Sequence, residues 1–89
     1  MEKIKIIINE FDDENLIVYI EKEGKNIWKV LSLFDFVAEM EYWGMTTQFK
    51  KVNGKGGFIF SNNIDKDLLK SEINRFIYDN KLEEQDFDL

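Results

Sequence analysis

Ile4, Ile6 and Ile8 alternate with Lys3, Lys5 and Asn9, and Leu16, Val18 and Ile20 repeat that period of two after a short acidic turn. Such alternation predicts two half-buried strands joined as a hairpin. Glu23-Gly24-Lys25-Asn26 reads as a second turn, and the run from Ile27 to Leu31 predicts a third antiparallel strand. Ser32-Leu33-Phe34-Asp35 then fits a helix start, with a hydroxyl to cap a free amide and an acid in the first turn, and Gly44 supplies a stop. The predicted helix covers about residues 33 to 43. At ~100° per residue Leu33, Phe36, Val37, Met40 and Trp43 share one face, the expected core stripe, while Phe34, Ala38 and Tyr42 share another.

Residues 45–52 read as a strand and Phe58-Ile59-Phe60 as its return, joined through Asn53-Gly54-Lys55-Gly56-Gly57, where glycine permits positive φ. Asn62 or Asn63 is placed to cap a second helix over about residues 64 to 81, with Asp65 and Asp67 in its first turn and Leu69, Ile73, Phe76 and Ile77 as its buried stripe. The order ββ(β)αββα predicts an α+β fold, an antiparallel sheet of four to five strands with two helices packed on one face. Residues 1–81 form a single domain on this reading, and residues 82–89 an acidic tail with frayed structure.

Composition narrows the chemistry. Eighty-nine residues suit one core. The chain has no cysteine and no histidine, which removes disulfides, thiolate nucleophiles, Cys/His zinc sites and imidazole bases together. Ser32, Ser61 and Ser71 have no histidine to activate them, and Asp35 and Glu39 lie one helical turn apart with no sign of a cleft that would split their pKa values. A protein that is not an enzyme and carries no cofactor or metal is expected. Asp12-Asp13-Glu14-Asn15 lacks the twelve-residue calcium-loop pattern. The amino-terminal residues do not form a signal peptide, and no run reaches the ~20 apolar residues of a membrane span, so a cytoplasmic location is expected.

The net charge of −6 is unevenly spread. Between Glu41 and Asp65 there is no acid, and Lys50, Lys51 and Lys55 give that segment +3, which leaves −9 for the rest. Acids gather at Glu10, Asp12, Asp13 and Glu14 in the first hairpin turn, and at Glu83, Glu84 and Asp86 near the carboxyl end. Carboxylates spaced in this way imitate a row of phosphates and suit the basic groove of a nucleic-acid-processing enzyme; as solvated loops they serve only solubility. The expected partner is a basic protein, while direct nucleic-acid binding and a membrane surface are disfavoured by charge.

Two other surfaces compete with the acidic one. Phe34 and Tyr42 place aromatic side chains away from the core stripe and, with Trp43 at that stripe's end, offer anchors for a partner or for a homodimer. Lys55-Gly56-Gly57-Phe58-Ile59-Phe60 resembles the RNP1 strand of RNA-recognition motifs, which implies base stacking on Phe58 and Phe60 beside Lys50, Lys51 and Lys55. The resemblance departs from that motif in its missing residues, in the two strands before the first helix and in the overall charge. In size, acidity and lack of cysteine the chain resembles small acidic inhibitors of phages and mobile elements, anti-CRISPR and DNA-mimic proteins among them, and immunity proteins. That resemblance implies a non-enzymatic inhibitor whose site is the two acidic clusters.

Overall fold

The computed structural model describes residues 4–84 of the chain. The first hairpin forms as its alternation dictates, from β1 (Ile4–Glu10) and β2 (Asn15–Lys22), with Ile6 opposite Ile20 and Ile8 opposite Val18. The second comprises β4 (Gln48–Val52) and β5 (Lys55–Ser61), and its two-residue turn puts Asn53 at φ 51° and Gly54 at φ 83°. Both residues are left-handed, as a turn matched to the strands' twist requires, and Asn-Gly tolerates this best. β2 also pairs with β5, so the sheet runs β1-β2-β5-β4, with the two-residue β3 (Lys25–Asn26) attached to β2.

Helices cover one face only. Leu16, Val18, Ile20, Phe58 and Phe60 point into a core shared with α1 (Trp28–Leu33), α2 (Phe36–Tyr42) and α3 (Lys66–Asp79). Ile17 and Ile59, on the opposite face, are also buried but lie outside that cluster. The α+β fold and antiparallel sheet are as expected, while the helix count differs.

The helix expected over 33 to 43 is confined to α2, and the third strand expected over 27 to 31 is mostly a further helix, α1. The reason is directional. On one continuous helix the buried pair Val30 and Leu31 would face about 150° away from the buried pair Phe36 and Met40. Breaking the chain at Phe34 and Asp35 turns both pairs onto the sheet, and Asp35 takes up the left-handed φ of 55° that the break needs. Two members of the expected core stripe consequently face outward, Leu33 at 70% and Trp43 at 45% exposure.

α3 is shorter than expected and is capped by Asp65, not by Asn62 or Asn63; the Asp65 carboxylate accepts from the Asp67 and Leu68 amides at 2.9 and 3.1 Å. Its stripe of Leu69, Ile73, Phe76 and Ile77 is buried as predicted. After it, Leu82 is fully buried and opens a 3₁₀ turn, Leu82–Glu84. The Lys22 ammonium donates to the Glu83 carbonyl, so this turn is tied to the end of β2.

One side chain extends the sheet where β2 and β5 part. Asn26 Nδ2 donates to the Gly56 carbonyl and its Oδ1 accepts from the Gly56 amide, both at 2.9 Å. The amide group thus stands in for a strand neighbour and satisfies both main-chain groups of a buried residue.

Candidate functional site

At one end of the sheet, the turn from β1 to β2 carries Asp12, Asp13 and Glu14, with Glu10 just before it, all exposed. The turn has a defined shape. Asp12 Oδ1 accepts from the Glu14 amide at 2.9 Å and the Asn15 amide at 2.8 Å, the side-chain turn that short Asp residues favour. Asn62, just past β5, donates its main-chain amide to the Glu14 carbonyl at 2.9 Å and its side-chain amide to the Asp13 carbonyl at 3.0 Å. This clamp ties the turn to the segment that leads into α3, where the Asp65 carboxylate caps the helix.

The Glu14 amide, with further bonds from Asn15, holds the Asp12 carboxyl below its usual pKa despite a smaller opposing effect of desolvation. Asp12 therefore stabilises the turn fully above the ordinary aspartate value of about 4, and that stabilisation is lost as pH falls through the lower folded value. In an NMR titration the Glu14 and Asn15 amide resonances should shift with a midpoint below the ordinary value. A midpoint at or above it contradicts the hydrogen bonding described.

The second acidic cluster lies elsewhere. Glu83 is held beside Lys22, at the end of β2 opposite to Asn15, and seven residue steps at ~3.3 Å put the two ends about 23 Å apart. The main chain of Glu84 belongs to the same turn, and Asp86 lies outside the described residues. Glu10, Asp12, Asp13 and Glu14 lie together at the first hairpin turn, which is clamped by Asn62, and do not meet Glu83. The clamp itself was invisible in sequence because Asn62 and Asp13 lie 49 residues apart.

The aromatic candidates also divide. Phe34 is half-buried against the core and offers no anchor, because the break before α2 turns it inward. Tyr42 and Trp43 remain exposed at 78% and 45%, their rings edge to face with centroids 5.1 Å apart. The Arg75 guanidinium from α3 lies 4.2 Å from the Trp43 ring centre. It is also paired with Glu72, and the Trp43 indole N–H donates to Glu39 at 3.3 Å.

Phe58 and Phe60 are only 2% and 1% exposed, so the rings that base stacking would need are core residues facing the helices. The exposed ring on that hairpin is Phe49, stacked on Trp28 with centroids 4.7 Å apart, with the Lys51 ammonium 5.5 Å from the Trp28 ring. Lys55 pairs with Glu21 at 3.7 Å. Lys50 is exposed. Among the described residues no helix is long and apolar enough to cross a membrane.

No protein-family model, curated protein or solved structure matches the chain.

Proposed function

We propose that this is a non-enzymatic binding protein that docks the acidic end of its sheet on a basic partner, filling a groove in which a nucleic-acid-processing enzyme holds phosphates. The observation that carries the reading is the clamped turn, which presents Glu10, Asp13 and Glu14 as exposed carboxylates at one end of the sheet. A fixed array loses less freedom on binding than a mobile loop, and fixed charges select partners by complementary potential. The absence of cysteine and histidine supports the non-enzymatic part. An inhibitory role, of the kind the resemblance to small phage-encoded acidic inhibitors implies, follows from occupying a substrate groove.

The test reverses Glu10, Asp13 and Glu14 to lysine and leaves Asp12, which shapes the turn. All three side chains are exposed, so the melting temperature should hold. Capture of a basic nucleic-acid-binding protein from nuclease-treated extract should weaken roughly 100-fold, at on the order of 1 kcal/mol per reversed contact. Equal capture by both forms rejects the reading.

A second reading rests on the exposed Tyr42 and Trp43 with Arg75, the residue types in which interface energy concentrates. Under it, Tyr42→Ala with Trp43→Ala abolishes capture and the charge reversal leaves it intact.

A further inference from the structure

The two edges of the sheet differ. β4 has five residues with Lys50 and Lys51 adjacent, and a short strand bearing lysines discourages another strand. β1 has seven residues, pairs with β2 in unbroken register from Ile4 to Glu10 with no bulge, and carries Lys5 as its one basic residue. In its middle stand Ile6, Ile7 and Ile8, each half-buried. Ile6 and Ile8 lie against the core at its rim, and Ile7 lies on the face without helices.

The main-chain alternation of β1 is fixed by its neighbours. The Phe11 amide donates to the Asn15 carbonyl at 3.1 Å, so in an antiparallel ladder Lys5, Ile7 and Asn9 bond to β2 while Ile4, Ile6, Ile8 and Glu10 turn their amides and carbonyls outward. β2 obeys the same alternation on its other side. Ile20, opposite Ile6, turns its carbonyl away from β1 and accepts from the Ile27 amide at 3.1 Å.

We propose that β1 pairs with β1 of a second copy of this chain, antiparallel about a twofold axis at Ile7. That register sets every outward-facing residue against another. Ile6 meets the partner's Ile8, Ile4 the partner's Glu10, and each such pair exchanges two bonds, about eight in all. Between them Ile7 meets the partner's Ile7 and Lys5 the partner's Asn9, so no like charges stand opposite each other. All seven residues are used, whereas a twofold centred on Ile6 or Ile8 leaves residues at one end unpaired. The pairing goes beyond the acidic-end reading and does not depend on it.

The test uses the cysteine-free background. Strand addition alone is a small interface, so sedimentation should be run up to ~500 μM, where the chain should show twice its single-chain mass. Ile7→Lys places two ammonium groups across the axis and should restore the single-chain mass with an unchanged circular dichroism spectrum. Ile7→Cys should oxidise to a covalent dimer, because residues in such a non-hydrogen-bonded pair have Cα atoms ~4.5 Å apart, within disulfide range. Tyr42→Cys, exposed on α2, should not. A single-chain mass throughout, a doubled mass that survives Ile7→Lys, or cross-linking of Ile7→Cys no faster than of Tyr42→Cys overturns the proposal.

Discussion

Phe36→Ala lowers stability by about 3–5 kcal/mol, a large share of the ~5–15 kcal/mol that holds a domain of this size together. Phe36 is 1% exposed and packs its ring 4.5 Å from Phe58 on the sheet and 5.2 Å, edge on, from Phe76 on α3. It touches aromatic rings on both the sheet and α3, so truncation leaves a cavity that no single element can collapse to fill. Urea unfolding followed by far-ultraviolet circular dichroism measures the loss. Leu33→Ala, at a position on the same expected stripe but 70% exposed, should change stability by no more than ~0.5 kcal/mol. Equal losses at the two positions would contradict the break at Asp35, because a single continuous helix is what would bury both.

Gly56→Ala is the second large effect, at about 1–3 kcal/mol. A Cβ built on Gly56 would sit 2.1 Å from Cγ of Trp28 and 2.3 Å from its Cδ1, deep inside van der Waals contact with a rigid ring. The indole would have to leave the strand, giving up its stack on Phe49. Tryptophan fluorescence should shift to the red along with the fall in the urea midpoint. In a Trp28→Ala background the same glycine substitution should cost little, since the obstructing ring is gone, and the double-mutant cycle reads that coupling. Additive losses would mean that the close approach is not what requires glycine at position 56.

Local patterns in the sequence were enough for the two hairpins and the buried stripe of α3, although the second turn, read over Asn53 to Gly57, is only Asn53-Gly54, and Lys55, Gly56 and Gly57 belong to β5. In each case the residues that decide the structure lie within a few positions of one another, and periodicity or turn chemistry reports them directly. The region from Ile27 to Trp43 was misread because its two apolar pairs are each helical but face different ways, and only the position of the sheet tells the chain to break between them. Leu33 and Trp43 were expected in the core for the same reason. Long-range contacts were invisible: Asn26 bonding to Gly56, Trp28 lying on it, and Asn62 clamping the turn at Asp13 and Glu14. The acidic site was half legible, since charge runs can be read but their distance cannot. The order β1-β2-β5-β4 and the direction of β2 put Glu83 at the far end of the sheet from Asp12, and the Asn62 clamp tied the turn to the segment before α3.

The salt dependence of capture tests the central claim most directly. Immobilised chain would be exposed to nuclease-treated extract from ~50 to ~500 mM salt, a range over which the Debye length falls from about 14 to about 4 Å. If the clamped carboxylates make the contact, retention of a basic nucleic-acid-binding protein falls by on the order of tenfold or more across the series, and added duplex DNA displaces it. Retention that is unchanged at high salt and indifferent to DNA would mean that the partner is held by apolar contact, and the acidic end of the sheet would not be the site.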